Sequence, residues 1–525
     1  MTDPAFQDQE EQVTPKIGKF RGGLVLPEHK DLSTGRPIKI MPLSKRYILP
    51  ITQHSGQPAV AEVKVGDQVL KGQVIARTHG FVGSILHAPT SGKISAIEPH
   101  PVAHPSGLPA TCIVLEADGD DEPIKSYKLE DWRHSEPLVV RNYLQEMGVV
   151  GLGGAVFPTH IKLTPAADIV VEKLILNGAE CEPYISCDDM LMREYAEQII
   201  SGAHIAMHIL GTNKCALVLE DNKPDAIAAL EKAIADNGRE DIEIHAMPSR
   251  YPEGGERQLI QALTGKEVPT GGLPVDLGFI VQNVGTMAAV HNAVVNGEPL
   301  VSRIVTVTGK GITHPGNVEV RLGTLFSEVM EFCGGYTDSV ERLIMGGPMM
   351  GFALPSDNVP VIKRTNCILV AAKEEVPVKD DPMPCIRCGE CAQVCPASLL
   401  PQQLYWYARS QDFNRTKDYH IFNCIECGCC DLVCPSHIPL TSYFRFAKSE
   451  LWIKERERDV AESAKQRFEA REKRVEKQKA TLDEKRKKKR ESIREKPGSE
   501  EAKSEIAAAV ERAAKKRKDV GPDQT

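Results

Sequence analysis

Cys385-Ile-Arg-Cys388-Gly-Glu-Cys391-Ala-Gln-Val-Cys395-Pro396 is repeated further along the chain as Cys424-Ile-Glu-Cys427-Gly-Cys429-Cys430-Asp-Leu-Val-Cys434-Pro435. Both runs have the spacing C-x2-C-x2-C-x3-C-P. Three thiolates at three-residue steps surround one iron–sulfur cube, whereas the fourth cysteine faces away and binds the neighbouring cube. The two runs therefore predict two 4Fe–4S clusters, which relay single electrons.

The crosswise pattern assigns four ligands to each cluster. The first cluster takes Cys385, Cys388, Cys391 and Cys434, and the second takes Cys424, Cys427, Cys430 and Cys395. Zinc is the alternative metal, but structural zinc sites usually combine two separated C-x2-C pairs, which this spacing does not resemble. Cys429 is an additional thiol that we interpret as a non-ligand.

Composition limits the remaining possibilities. Nine of the 15 cysteines fall between Cys385 and Cys434, and this uneven distribution favours a metal site over a disulfide scaffold. No apolar run approaches the roughly 20 residues needed to cross a bilayer, and no secretory signal is evident. From Leu451 onward, 24 Lys and Arg face 17 Asp and Glu, whereas the preceding residues carry 40 against 55. We therefore expect a cytosolic acidic body with a separate basic tail, held at a membrane only by partners, and no nucleic-acid partner.

The pattern of elements predicts a multidomain protein with α/β and α+β modules. Strands are expected at Val170–Leu176, Cys215–Leu219, Ile304–Thr308 and Val318–Val320, and helices at Arg193–Leu210, Pro224–Asp236 and Leu325–Cys333. The expected order is an extended N-terminal segment (1–40), a small β module (41–118), an α/β domain (137–300), a compact α+β module (301–373), the cysteine segment (374–447) and a charged helical or disordered tail (451–525).

A second group of motifs lies in the α/β domain. Gly151, Gly153 and Gly154 form a glycine-rich loop that allows backbone to approach a phosphate or a flat ring, and Lys162 follows it as a possible phosphate partner. Three further segments accompany it: Asn177-Gly-Ala-Glu180-Cys-Glu182, Glu253-Gly254-Gly-Glu256-Arg and Gln282-Asn283-Val-Gly-Thr286. The first of these segments follows a predicted strand, at the sheet edge where α/β proteins bind ligands. The second precedes a helical stretch, and the third ends an apolar run.

These segments resemble the NADH- and FMN-binding flavoprotein subunit of respiratory complex I. Together with the two cysteine runs, residues 15–445 resemble more closely the C subunit of the Rnf (Rsx) electron-transport complex. That subunit also has a charged C-terminal tail. The resemblance implies a lipoyl-like β hammerhead at 41–118, a Rossmann-like flavin and NADH domain at 137–300, a β-grasp (SLBB-like) module at 301–373 and a ferredoxin-like domain at 374–447. The hammerhead tip, from Arg77 to Gly83, lacks the lysine that carrier domains modify.

The resemblance also implies residue roles. Gly151, Gly153 and Gly154 line FMN, Lys162 meets its phosphate, and Asn177 and Glu180 contact the ring or the ribityl chain. Gly254 and Glu256 close the pocket, and Asn283 and Thr286 bind the phosphate end. Phe157 stacks on the NADH nucleotide, and Glu182 lies near the nicotinamide as the catalytic residue.

The implied function is that of an oxidoreductase subunit that passes electrons between NADH, FMN, two 4Fe–4S clusters and a ferredoxin-type carrier. The resemblance places it as a peripheral protein on the cytoplasmic side of a bacterial inner membrane, with other subunits of an ion-translocating complex. Two alternatives stay open on the residues alone: a soluble iron–sulfur NADH dehydrogenase and a cluster-only relay without flavin.

Overall fold

A computed structural model describes residues 18, 20–125, 128–166, 168–238, 241–376, 381–494 and 500–519. The predicted N-terminal segment, the cysteine segment and the tail each lie partly outside these residues. The chain divides into two compact units, Met1–Ala447 and Lys448–Thr525. We describe each unit separately.

The first module is a β sandwich. A one-turn helix, α1 (Asp31–Thr34), and strand β1 (Lys39–Ile40) precede it. Its seven strands are β2 (Arg46–Pro50), β3 (Val60–Ala61), β4 (Gln68–Val69), β5 (Val74–Arg77), β6 (Leu86–His87), β7 (Gly92–His100) and β8 (Ala110–Ala117). They form one sheet of order β2-β8-β7-β4 and a second of order β3-β5-β6, which confirms the all-β expectation for this region.

The α/β domain carries a four-stranded parallel sheet. Its elements are α2 (Pro137–Glu146), α3 (Thr159–Lys162), β9 (Lys173–Asn177), α4 (Cys187–Glu194), α5 (Ala196–Leu210), β10 (Cys215–Glu220), α6 (Pro224–Asn237), β11 (Ile242–Met247), α7 (Glu256–Thr264), β12 (Phe279–Asn283) and α8 (Val284–His291), which a π-helical turn (Asn292–Asn296) extends. A 3-10 turn (Pro274–Leu277) precedes β12. The strand order is β11-β10-β9-β12.

This sheet explains why distant loops meet. Asn283 at the end of β12 lies beside Asn177 at the end of β9, in register. Because all four strands are parallel, the loops that follow them converge on one edge. The single helix predicted for Arg193–Leu210 is wrong in one respect, since the chain breaks at Tyr195 and α4 already begins at Cys187. The strand predicted from Val170 begins only at Lys173.

The α+β module forms a six-stranded sheet. Its elements are β13 (Ser302–Thr308), β14 (Gly316–Arg321), α9 (Phe326–Phe332), β15 (Val340–Met345), β16 (Phe352–Leu354), β17 (Cys367–Ala372) and a 3-10 turn (Lys373–Glu375). The order β1-β14-β13-β17-β15-β16 recruits β1, so the N-terminal segment is not merely extended chain. Tyr47 and Leu49 of the β sandwich share one hydrophobic core with Val305 and Phe326, so the two modules pack as one body.

The cysteine segment is built from short helices, and the tail from long ones. The cysteine segment contains α10 (Glu390–Gln393), α11 (Pro401–Arg409), α12 (Phe413–Asp418), a 3-10 turn (Ile421–Asn423) and α13 (Cys429–Leu432). Helix α14 (Leu440–Arg494) and helix α15 (Glu500–Asp519) follow, so the described part of the tail is helical. No helix in the described ranges has the length and apolar character that crossing a membrane requires.

Candidate functional site

The eight motif cysteines line two separate cavities. Cys385, Cys388 and Cys391 of the first run share one cavity with Cys434 of the second run. Cys424, Cys427 and Cys430 share the other cavity with Cys395, and Cys429 also lines it. All 15 cysteines are free of disulfides. Four thiols drawn from both runs at each cavity form the donor set that a 4Fe–4S cube requires.

The same backbone turn occurs in both runs and explains how three thiols converge. Arg387 and Glu426 adopt φ values of 60° and 58°, and Gly389 and Gly428 adopt 86° and 77°. Left-handed residues on both sides of the second cysteine wrap the chain into a tight loop before α10 and α13 begin. Glycine is favoured at the second position, where φ lies furthest from the values near 60° that Arg387 and Glu426 adopt.

The two cavities differ in exposure. The first is lined by the exposed Cys388, and the adjacent Ile386 is 69% exposed. In the second, Cys395, Cys427 and Cys430 are all buried. The buried Cys429 has a direct effect here, because its hydrogen bond lowers the pKa of Cys427. The second cavity is therefore the better shielded from solvent.

The glycine-rich loop folds over the start of α8. The amide of Gly151 donates to the carbonyl of Phe157 at 2.8 Å and closes the loop. The amide of Leu152 donates to Thr286 Oγ1 at 2.9 Å. A Cβ atom at Gly153 would lie 3.2 Å from the Cβ of Asn283. The structure thus brings together the loop, Asn283 and Thr286, to which the family resemblance assigns roles in one flavin site.

Gly154 leaves bare backbone facing open space. Its φ is +101°, and no other heavy atom lies within 4 Å of the position that a Cβ would take. A flat ring or a phosphate can therefore approach the main chain at this point.

Two neighbouring modules hold this loop from outside. Arg364 of the α+β module donates to the Gly154 carbonyl at 2.7 Å, and Ser55 of the β sandwich donates to the Ala155 carbonyl at 2.7 Å. The exposed Arg364 guanidinium adds a cation beside the loop. Sequence reasoning missed both residues, since they lie about 100 and 200 positions away from the loop and in other modules.

Lys162 and Glu256 form an ion pair. Lys162 Nζ lies 2.6 Å from Glu256 Oε1, and the two side chains are 32% and 37% exposed. The family resemblance implies that Lys162 meets the FMN phosphate and that Glu256 helps to close the pocket, and the structure brings the two side chains into contact. A partly exposed pair contributes at most about 1 kcal/mol, so an anionic ligand can compete for the lysine.

Asn177 and Gly254 also meet, at the sheet edge. Asn177 Nδ2 donates to the Gly254 carbonyl at 2.9 Å, while its Oδ1 accepts the amide of Ala179 at 3.1 Å. Glycine is needed at position 254, because a Cβ there would lie 2.7 Å from the Ala179 carbonyl oxygen. The two loops are therefore closely fitted.

Glu180 uses its carboxylate to cap a helix. It accepts the amides of Asp188 at 2.9 Å and Asp189 at 3.3 Å, at the start of α4. Asp188 in turn accepts a hydrogen bond from Asn283 Nδ2 at 2.6 Å. Burial, and then the negative charge of Glu180, raise the pKa of Asp188 to about 7. Sequence reasoning missed Asp188, whose only signal was its position at the start of a helix that follows the loop.

Glu182 points toward the α+β module. Its Oε1 accepts the amides of Met349 at 2.7 Å and Met350 at 3.0 Å, and burial raises its pKa. Gly347 makes room for it, because a Cβ at that position would lie 2.2 Å from Glu182 Cγ. The carboxylate therefore joins two loops of different modules.

The second cavity packs against the α/β domain. Tyr251 Oη donates to the carbonyl of Cys427 at 2.6 Å, and Asn423 Nδ2 donates to Thr270 Oγ1 at 2.9 Å. The N-terminal segment crosses the same junction, where the Gly23 amide donates to the Val394 carbonyl at 2.9 Å. These contacts join the second cavity to the α/β domain and to the N-terminal segment.

Comparisons with known proteins agree with this arrangement. Four family models match in chain order: RnfC Barrel sandwich hybrid domain at 18–120, Nuo51 FMN-binding domain at 144–292, SLBB domain at 304–353 and 4Fe-4S dicluster domain at 377–477. The crystal structure of an NAD+-reducing NiFe-hydrogenase in the air-oxidized state is 23% identical and aligns with a TM-score of 0.43 over 55% of each chain. We draw no conclusion about fold or function from an alignment with so low a TM-score.

Curated relatives that are similar over most of this chain share one name. The C subunit of the ion-translocating oxidoreductase complex of Pseudomonas aeruginosa is 50% identical over 456 residues, which cover 87% of this chain and 58% of the relative. The protein of the same name from Salmonella gallinarum is 46% identical over 466 residues, which cover 89% of this chain and 68% of the relative. The chain thus spans roughly three fifths to two thirds of these relatives.

The matches confirm the family resemblance and the coarse cofactor prediction. An FMN-binding domain model and a 4Fe-4S dicluster domain model both match this chain, in agreement with the prediction of FMN and iron–sulfur clusters. The order of modules, the identity to both relatives and their shared name agree. This chain belongs to the family formed by the C subunits of ion-translocating oxidoreductase complexes.

Proposed function

We propose that this protein passes electrons between NADH and a ferredoxin-type partner through FMN and two 4Fe–4S clusters. The observation that carries the proposal is the direct contact between the flavin-type domain and the second cysteine cavity, made by Tyr251 and the Cys427 carbonyl. FMN accepts a two-electron hydride and releases single electrons, so it supplies the conversion that iron–sulfur clusters require.

The FMN site is assigned to the residues around the glycine-rich loop. Gly151, Gly153 and Gly154 offer backbone to the ring and phosphate. Lys162 would leave Glu256 for the phosphate, because a partly exposed ion pair contributes little and a phosphate dianion carries more negative charge than a carboxylate. Asn283 and Thr286 hold the phosphate end of the pocket.

The loops that follow the strands form the other wall of this site. Asn177 and Gly254 keep two of these loops in contact. Glu180 fixes the start of α4 and thereby positions Asp188 against Asn283. These side chains orient the pocket through hydrogen bonds that the protein already makes.

The NADH side is assigned to Phe157 and Glu182. Phe157 lies at the end of the glycine-rich loop, where its ring is half-buried and available for stacking on a nucleotide. Contact of Glu182 with the nicotinamide requires its carboxylate to leave the amides of Met349 and Met350. NADH binding is therefore coupled, in this proposal, to a movement of the loop that contains these methionines.

Electrons pass through the clusters in a defined order in this proposal. Cys395, Cys424, Cys427 and Cys430 would hold the cluster that exchanges electrons with FMN, because their cavity contacts the α/β domain through Tyr251. The first cluster, held by Cys385, Cys388, Cys391 and Cys434, lies at the exposed rim, where a partner can approach. The other subunits of the complex hold the protein peripherally on the cytoplasmic side of a bacterial inner membrane.

Anaerobic purification followed by NADH addition tests the proposal. We expect about eight irons and one non-covalent FMN per chain, and bleaching of both the flavin and the cluster absorbance by NADH, with paramagnetic resonance signals from reduced clusters. Clusters without flavin would indicate a cluster-only relay. Reduction by NADH in a protein that associates with no other subunit would indicate a soluble dehydrogenase. Flavin that NADH leaves oxidised would refute the proposed donor.

A further inference from the structure

Between Val460 and Lys489, one face of the tail helix α14 carries only basic charge. With 3.6 residues per turn, this segment extends about 44 Å. This face, about 140° wide by the same helical geometry, contains seven Lys and Arg and no acid, whereas all six acidic residues of the segment lie outside it, together with the other five lysines. This distribution of charge is a property of the helix itself and does not depend on a bound cofactor.

The basic face also carries the apolar side chains of the segment. Val460, Phe468, Val475 and Leu482 fall within it, and they are 61%, 61%, 41% and 56% exposed. Spacings of seven or eight residues align these four side chains along the helix. The face therefore combines an apolar line with positive charge along its full length.

We propose that this face of α14, which we call the basic face, binds the surface of an anionic lipid bilayer. Apolar side chains of such a helix enter the boundary between headgroups and acyl chains, while Arg and Lys extend their stems toward lipid phosphates. The rest of the helix surface mixes six acids with five lysines, which suits a side turned toward water. Charge complementarity to an anionic surface is the argument for this occupant.

A second helix fits the basic face less well. Arg471 and Lys489 lie at the centre of the face, in line with the apolar side chains, and would enter the seam of a helix pair. A charge in such a seam is costly unless it is paired. A parallel second copy would also bring the six consecutive positive residues Lys485–Arg490 together. A bilayer avoids both costs, because its headgroups accept long basic side chains.

Co-sedimentation of the intact, cluster-loaded chain with lipid vesicles tests the proposal. The probes are vesicles of phosphatidylcholine alone and vesicles that also contain phosphatidylglycerol. We expect binding only to the anionic vesicles, and weaker binding at high salt. Phe468→Ser should weaken binding at every salt concentration, because it removes apolar contact and leaves the charge unchanged.

Two matched triple variants separate face from net charge. Arg467→Gln, Arg471→Gln and Arg474→Gln together remove three charges from the basic face. Lys473→Gln, Lys477→Gln and Lys487→Gln remove three charges from the opposite face of the same helix.

The first triple should weaken binding to anionic vesicles roughly 100-fold, and the second less than about 10-fold. Circular dichroism of both triples should show the same helix content. Equal weakening by the two triples would mean that net charge alone drives binding and would overturn the assignment of the face. Absence of binding to phosphatidylglycerol vesicles, or binding only to an acidic protein, would overturn the bilayer as the occupant.

Discussion

Cys395 and Cys391 belong to one sequence run but line different cavities, so substitution of each should remove a different cluster. Cys395→Ala deletes a thiol from the cavity of Cys424, Cys427 and Cys430. Cys391→Ala deletes one from the cavity of Cys385, Cys388 and Cys434. The two substitutions are chemically identical, so each serves as the control for the other.

The size of the effect follows from the ligand count. Each cube contains four irons, so each variant should fall from about eight irons per chain to about four. The surviving cluster keeps all four of its own thiols. Iron and acid-labile sulfide are measured on anaerobically purified protein, and the surviving cluster is identified by paramagnetic resonance after reduction with dithionite.

The resonance spectra decide between the two ligation schemes. In the crosswise scheme, the spectrum of Cys395→Ala matches that of Cys427→Ala, and the spectrum of Cys391→Ala matches that of Cys434→Ala. Cys429 lines the second cavity and can replace a lost ligand, so the comparison is repeated in a Cys429→Ser background. If Cys395→Ala instead matches Cys391→Ala, each run binds its own cube and the reasoning is refuted.

Three further predictions concern the flavin site, a buried lysine and the contact of the N-terminal segment with the second cavity. Lys162→Ala should weaken FMN binding by roughly 1.5–3 kcal/mol, measured by flavin retention on gel filtration. The control Lys173→Ala breaks a comparable ion pair away from the flavin site and should retain its FMN. Burial lowers the pKa of Lys363 from 10.5 to about 7. The unfolded chain therefore binds more protons above pH 7, and stability should rise by roughly 2 kcal/mol between about pH 7 and pH 9. Urea titrations should show that Lys363→Met removes this rise, and an unchanged rise would contradict the assignment. Gly22→Ala places a Cβ 2.7 Å from the backbone of Cys395, at a φ of +71° that strains any side chain. A chelator should therefore remove iron from this variant faster than from Gly35→Ala, whose Cβ meets nothing within 4 Å. Equal rates of iron loss would contradict the packing of the N-terminal segment against the second cavity.

The flavin-type site shows which of its residues could be assigned to one site before the tertiary structure was known. The glycine-rich loop, Asn283 and Thr286 were assigned to one site, and the structure joins them through hydrogen bonds. Parallel strands explain only why Asn177 and Asn283 meet, because these residues end neighbouring strands. The glycine-rich loop lies between α2 and α3 and reaches this edge through the hydrogen bond of Leu152 to Thr286. Glu180 and Glu182 were harder to place, since a carboxylate can turn toward a ligand, a helix start or another module, and the sequence does not distinguish these directions.

Short-range geometry is what the sequence determined by itself. The cysteine spacing, the glycine after the second cysteine and the proline after the fourth describe one tight turn, which the structure repeats in both runs. Charge along the tail is likewise a property of neighbouring residues.

Long-range packing was decided only in three dimensions. The β sandwich and the α+β module share one core, Arg364 reaches the glycine-rich loop, and Tyr251 meets the second cavity. Each of these contacts joins residues that are far apart in the chain, and their partners are selected by burial and by shape complementarity across module boundaries. No residue pattern within one segment encodes such a choice, because the energy of the contact depends on both surfaces at once.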